Sequence, residues 1–214
     1  KAIGTDKRIG NQFLSAGPGF GGSCFKKDIS NLIYIANHYG LIEVSEYWQK
    51  VIAINDWQTK RISKLIVEKL FNTISCKKIS ILGFAFKANT NDTRESPAIK
   101  ICKELLEENC KISIYDPKVS PLQIEYDLQL NQSKIFSKND QAEWTFSDSV
   151  LDSVKNADAI LVLTEWEEFK HIDWLQVYKY MRKPAWLFDT RSIIDINKVK
   201  ISGINFWQIG KGIN

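Results

Sequence analysis

Ile79-Ser80-Ile81-Leu82-Gly83-Phe84 carries the strongest fold signal in the chain. Its β-branched and apolar residues predict a short buried strand, and the glycine near its end predicts a turn out of the sheet. Downstream, Ser96-Pro97 pairs an N-cap with a first-turn proline and predicts a helix running to about Asn109. Lys111-Ile112-Ser113-Ile114-Tyr115 then alternates like a strand and stops at Asp116-Pro117. The polar stretch from Ser120 to Ser147 predicts an insertion with a short helix. Ser149 to Ala157 predicts a helix, Ala159 to Leu163 a buried strand, and Trp174 to Met181 another helix. Ala185 to Phe188 and Asn205 to Ile209 predict two last strands. Strands alternating with helices predict a doubly wound, mostly parallel α/β sheet.

Upstream of Cys76 the texture is helical. After Gly17-Pro18-Gly19-Phe20-Gly21-Gly22, Ser23 suits an N-cap. Phe25, Ile29, Leu32, Ile33 and Ala36 follow at helical spacing, with Gly40 as a stop. A second helix is predicted from about Val44 to Phe71, with no glycine or proline inside it. That length, with Trp48, Trp57 and Phe71 among its rings, calls for a large partner surface. A dimer seam and a neighbouring domain both satisfy it. The joint falls near Asn72–Lys78, dividing the chain into 1–75 and 76–214.

Composition excludes several classes. Hydrophobic residues make up 44% and charged ones 25%, which suits a folded domain rather than disorder. No apolar run reaches the roughly 20 residues needed to span a bilayer. The net charge of +4 comes from scattered residues without a basic stripe, so nucleic acid is not expected. Cys24, Cys76, Cys102 and Cys110 with His38 and His171 show no metal-ligand spacing. Four scattered cysteines fit a reducing, cytoplasmic setting. No signal peptide opens the chain and its one methionine is Met181, so a processed or excised piece is expected.

Residues Gly17 to Gly22 satisfy G-x-G-x-x-G, but the dinucleotide fingerprint must follow a strand, and the preceding residues make a poor one. The better strand–turn–helix candidate, Leu82-Gly83-Phe84-Ala85-Phe86-Lys87, has one glycine and one lysine. It suits a phosphate or diphosphate; a plain turn with a solvated lysine is the alternative. Cys24 follows the glycine loop in the first turn of a helix. Unpaired N–H groups and the positive dipole end there favour a thiolate, and glycines permit close approach. Asp28 shares its helix face and could hold a water molecule. A small buried hydrophobe is the competing reading of Cys24. Cys76, Cys102 and Cys110 lack such a setting and read as structural.

Gly19-Phe20-Gly21-Gly22-Ser23-Cys24-Phe25-Lys26-Lys27-Asp28 resembles the active-site segment of the UDP-glucose 6-dehydrogenase family. Three further segments follow in the family's order. They are Ile81 to Lys87 with Asp92-Thr93-Arg94-Glu95-Ser96, then Ile114-Tyr115-Asp116-Pro117, then Phe188-Asp189-Thr190-Arg191. The likeness covers nearly the whole chain and favours the UDP-glucose branch over GDP-mannose and related enzymes. It departs at Lys26, where many relatives have proline, which leaves that helix start less rigid.

The resemblance implies a three-part enzyme, with this chain spanning the central helical dimerisation part and the C-terminal UDP-binding part. The N-terminal NAD-binding part is then absent. It implies a four-electron oxidation of the C6 alcohol of UDP-glucose to UDP-glucuronate with two NAD⁺. Cys24 would form a thiohemiacetal and then a thioester, which water positioned by Asp28 would hydrolyse. By position, Phe86, Lys87 and Arg191 would contact the UDP-sugar. Phe13, Leu14, Ser15, Gly17, Phe20 and Gly21 would wrap sugar and diphosphate, and Arg8 would reach a partner subunit's site. Cys24, Lys27 and Arg94 would approach NAD, no metal would take part, and the protein would be a dimer or higher oligomer. A non-catalytic UDP-sugar-binding and dimerisation module, or a dehydrogenase of another nucleotide sugar, remains as an alternative. A cysteine hydrolase is disfavoured, because His38 would sit roughly 21 Å from Cys24 along the helix.

Overall fold

The computed structural model describes residues 2–10, 14–128 and 143–211. A 3-10 turn at Ile3–Thr5 precedes helices α1 (Phe25–His38) and α2 (Ile42–Lys69). Then come strand β1 (Lys78–Leu82), helix α3 (Pro97–Glu107), strand β2 (Lys111–Tyr115) and helix α4 (Pro121–Leu128). Strand β3 (Glu143–Phe146), helix α5 (Val150–Ser153) and strand β4 (Ala159–Val162) follow. Beyond a 3-10 turn at Glu167–His171, helix α6 (Trp174–Tyr180), strand β5 (Trp186–Asp189), helix α7 (Ile196–Ser202) and strand β6 (Asn205–Gln208) complete the fold.

The six strands lie in the order β3-β2-β1-β4-β5-β6, and every pairing is parallel rather than mostly so. The run Ala159 to Val162 is buried and apolar throughout, and in Ile79 to Leu82 even Ser80 is buried, as strands covered by helices on both faces require. Fully burying each such aliphatic side chain contributes roughly 1.5–3 kcal/mol before entropy is charged against it. Two hydroxyl pairs, Ser80 with Ser153 (2.7 Å) and Ser113 with Ser147 (2.8 Å), satisfy each other inside this core. The sheet reverses its order between β1 and β4, so the carboxyl ends of those two strands flank the crevice where α/β folds bind ligands.

Several expected boundaries change. Cys24, not Ser23, occupies the N-cap of α1, and no side chain caps that end. Helix α2 starts at Ile42 and stops at Lys69, because Phe71 and Asn72 have φ of 66° and 58°, incompatible with helix. Strand β3 lies within the stretch expected to be an insertion with one short helix. It is a four-residue edge strand with an exposed Glu143 and Thr145, too short and polar for its period to stand out. Helix α7 was also not foreseen, although Asp195 caps it by accepting from Asn197 N–H, and Gly203 ends it in the left-handed region at φ 88°. Cys102 and Cys110 are buried as structural thiols, whereas Cys76 is exposed, at φ 62° in the joint before β1.

The end of α2 belongs to the same core as the sheet: Ile62, Ile66 and Leu70 are buried with Ile79 and Ile101. Elsewhere on α1 and α2 the side chains of Tyr34, Tyr47, Ile54 and Trp57 stand exposed. No helix among the described residues is long and apolar enough to cross a membrane.

Candidate functional site

The turn leaving β1 begins at Gly83, whose φ is 91°, and a Cβ there would lie 2.4 Å from Cβ of Thr164. Glycine is therefore required both by the backbone and by the close approach of the β4 end. Beyond it the turn is held from several sides. Phe84 and Ala85 N–H donate to Asp116 Oδ2 at 2.7 and 3.1 Å, while Phe86 N–H donates to the Asp92 carbonyl at 3.1 Å. Ser96 Oγ donates to the Phe84 carbonyl (2.8 Å) and Thr164 Oγ1 to that of Ala85 (2.6 Å). Phe86 and the exposed Lys87 emerge from this fixed backbone at the crevice.

Arg191 reaches the same place from the end of β5. Its Nε donates to the Leu163 carbonyl at 2.7 Å and its Nη2 to the Phe86 carbonyl at 3.0 Å. Glu165 Oε2 lies 3.2 Å from Arg191 Nε, an ionic contact only, since that N–H points at Leu163 and the oxygen is left without a hydrogen bond. Burial pulls the Arg191 pKa down from its ordinary value, and the charges of Glu165 and Asp189 oppose that fall.

The glycine loop docks between helix and sheet. On one side Asn55 accepts from Phe20 N–H at 2.7 Å, Gln58 donates to the Gly17 carbonyl at 3.1 Å, and Thr59 donates to that of Pro18 at 3.0 Å. On the other, Gly22 N–H donates to the Arg94 carbonyl at 2.8 Å. A Cβ on Gly21 would sit 2.5 Å from the Glu95 carbonyl oxygen, one on Gly22 2.9 Å from the Phe86 ring, and one on Gly17 3.3 Å from Arg191 Nη1. These glycines thus serve packing between the loop and the sheet ends, not a dinucleotide cradle; no strand precedes them among the described residues.

Cys24 follows directly and is exposed, with Ser23 Oγ 3.7 Å from its Sγ. Asp28 N–H donates to the Cys24 carbonyl at 2.8 Å, which places Asp28 one turn along the same face. Arg94 grips Asp92 through Nη2 (2.8 Å). That hydrogen bond and then the Asp92 charge raise the Arg94 pKa above its ordinary value. Lys26 spans the two parts by pairing with Glu95 at 2.7 Å.

Contacts link Gly17 to Arg191, Gly21 to Phe86 and Phe86 to Arg191, so these residues share one crevice, with Lys87 next in the chain, while Phe20 packs on Asn55 and the Phe25 ring. Cys24, Asp28 and Arg94 are exposed next to the glycine loop. Lys27, Leu14 and Ser15 are exposed beside it. Arg8 pairs with Asp6 at 2.7 Å on the exposed N-terminal segment. Phe13 lies outside the described residues. Asn55, Thr59, Asp116 and Glu165 join these contacts without being expected from the sequence. On an amphipathic helix with many polar residues, Asn55 and Thr59 carry no signal of their own, whereas Asp116 was visible as the residue that follows β2. Among the described residues no cluster of His, Cys, Asp and Glu could hold a metal. A groove of about 740 Å³ between α2 and α3 is lined by Lys26 and Lys100, which pair with Glu95 and Asp56, and Phe20 of the glycine loop lines it too.

Residues 80–196 match the UDP-binding domain of the UDP-glucose/GDP-mannose dehydrogenase family, and residues 1–57 match its central domain. The chain is 47% identical to UDP-glucose 6-dehydrogenase 4 of Arabidopsis thaliana, over all of the chain and 46% of that protein. It is 48% identical to UDP-glucose 6-dehydrogenase of Drosophila melanogaster, over 99% of the chain and 44% of that protein. Among solved structures, a UDP-glucose dehydrogenase from Pyrobaculum islandicum superposes with a TM-score of 0.70 at 25% identity, covering 96% of this chain and 41% of that one. A UDP-D-ManNAc dehydrogenase from Pyrococcus horikoshii gives 0.69 at 28% identity, covering 98% and 43%. The chain spans a little under half the length of these relatives. With its two matched segments in order and this degree of identity along its whole length, the chain belongs to the UDP-glucose/GDP-mannose dehydrogenase family.

Proposed function

We propose that this chain is the substrate-holding, nucleophile-bearing portion of an NAD-dependent UDP-glucose 6-dehydrogenase. The observation that carries the reading is the docking of the Cys24 loop onto Phe86 and Arg191 at the switch point of the sheet. Lys87 and the Nη1 edge of Arg191 would face the diphosphate, with the backbone of Gly17 to Gly21 along the sugar. With C6 at the aldehyde level after its first hydride has gone to NAD⁺, Cys24 Sγ would add to C6 as the carbonyl oxygen takes up a proton. Loss of a second hydride from C6 to a second NAD⁺ would leave the thioester. Asp28 would hold the water that adds to the resulting thioester, breaking the C–S bond and returning the thiol as the carboxylate product leaves. The catalytic assignment of Cys24 and Asp28 and the division at residues 75 and 76 belong to this proposal.

NAD, when bound, supplies hydride acceptance. The described residues fit only an edge of it: Arg94, Lys27 and Cys24 line an exposed rim, while the β1 turn has its N–H groups already committed to Asp116 and Asp92. The cradle for the cofactor would come from another part of the enzyme. The exposed rings and aliphatics of α1 and α2 would be covered by a second copy, making the working form a homodimer or higher oligomer, with Arg8 directed to the partner's site.

Titration calorimetry of the chain with UDP-glucose tests the reading, together with alkylation of Cys24 by iodoacetamide followed by mass. Saturable binding that slows alkylation of Cys24 is expected. No binding at millimolar nucleotide sugar, or binding that leaves Cys24 alkylation unchanged, would sink it.

A further inference from the structure

Asp116, 3% exposed, accepts five N–H donors that converge on one carboxylate. Phe84 N–H (2.7 Å), Ala85 N–H (3.1 Å) and Trp166 Nε1–H (3.2 Å) reach Oδ2, while Lys118 and Val119 N–H reach Oδ1 at 2.9 and 3.0 Å. In an α/β dinucleotide fold, N–H groups of the turn after the first strand are the ones that meet a bound diphosphate. Here a side chain of the protein stands in that position. The remaining polar groups of the turn are also taken: Phe86 N–H by Asp92, and the Phe84, Ala85 and Phe86 carbonyls by Ser96, Thr164 and Arg191.

We infer that Asp116 is a positioning residue of the nucleotide site, acting as a built-in anion that closes the β1 turn to phosphate and aims Lys87. A nucleoside diphosphate in the crevice is then held by the side chains of Lys87 and Arg191 rather than by turn amides. The inference rests on the proposed nucleotide site and adds how that site must take its ligand.

Asp116→Asn keeps the shape but turns an amide N–H toward N–H donors. In the 214-residue chain it is expected to speed hydrogen exchange at Phe84 to Phe86 by about tenfold and to weaken UDP-glucose binding by about tenfold. If Asp116 works through Lys87, adding Asp116→Asn to Lys87→Ala weakens binding by less than about twofold further; a merely structural loss would multiply instead. Unchanged exchange in Asp116→Asn, or multiplying losses, overturns the inference. The unmodified chain gives a test that needs no variant to fold: with bound UDP, phosphorus–amide scalar coupling should be absent at Phe84 and Ala85, and its presence there overturns the inference. Failure of the unmodified chain to bind UDP or UDP-glucose overturns the proposed function instead, and the exchange measurement still judges Asp116.

Discussion

Arg191 Nη2 donates to the Phe86 carbonyl at 3.0 Å, tying the end of β5 to the turn that leaves β1 across the intervening β4. One guanidinium thereby sets the width of the crevice and keeps its Nη1 edge toward Gly17. The largely buried cation is held by the Leu163 and Phe86 carbonyls and by Glu165.

Arg191→Ala leaves two carbonyls and a carboxylate without their partner, and should lower unfolding stability by about 2–4 kcal/mol. UDP-glucose affinity should fall by at least about tenfold, because a cation is lost from the diphosphate site. Arg191→Lys should recover part of the stability and little of the affinity, since a single ammonium cannot reproduce the fork. Thermal melts and calorimetry on the three proteins check this, and equal affinity in all three contradicts it.

Gly21→Ala forces a Cβ to 2.5 Å from a backbone oxygen, which no side-chain rotation relieves. The loop must lift from Glu95 and Phe86. Stability should drop by about 1–3 kcal/mol, and Cys24 should alkylate at the same rate with or without UDP-glucose. A variant that retains wild-type protection by the nucleotide sugar would show that the loop contact is dispensable.

Thiol accessibility separates the four cysteines. Cys24 and Cys76 are exposed, while burial pushes the Cys110 thiol up to about 12 and raises Cys102 further still. Ellman's reagent should titrate Cys24 and Cys76 rapidly in the native chain, and Cys102 and Cys110 only on unfolding. Cys24→Ser should remove one of the fast equivalents. Rapid reaction of all four would contradict the packing around α3 and β2.

Tyr115 provides an alkaline signature. Burial first, then the nearby Glu168, push its pKa from 10.0 up to about 12 in the folded chain. The folded state holds this proton more tightly than the unfolded one, so the contribution is present below pH 10 and is lost as pH rises from about 10 to about 12. Melting temperatures of wild type and Tyr115→Phe should therefore diverge above pH 10, with the variant falling less. Parallel curves across that window would rule the effect out.

The exposed stripe on α2 gives the assembly prediction. Trp57 is 60% and Ile54 65% exposed, an apolar surface that water disfavours. Sedimentation at tens of micromolar should show a dimer for the wild type and a monomer for Trp57→Asp with Ile54→Asp. A monomeric wild type, or a double variant still dimeric, would remove this face from the interface.

Local chemistry made much of the architecture readable. Ile79 to Leu82 and Lys111 to Tyr115 are β-rich runs closed by turn residues, and Ser96-Pro97 states the start of α3 within two residues, as the Ser96 cap on Ala98 N–H bears out. The long α2 was legible because nothing in it breaks a helix. The residues Gly17, Phe86, Lys87 and Arg191 could be named as a group only through resemblance, since their separation in the chain hides any common purpose.

Tertiary structure settled the rest. A four-residue edge strand such as β3 has too few residues for a period, and its pairing with β2 comes from Ser113↔Thr145 and its neighbours rather than from its own composition. Asn55 and Thr59 read as ordinary helix residues until the loop carrying Phe20 and Pro18 folds onto them. Asp116 read as the end of a strand, yet its partners Phe84 and Trp166 come from opposite directions along the chain. A hydrogen bond between distant residues leaves no local pattern, because what selects each partner is the geometry of the sheet that brings them within bonding distance.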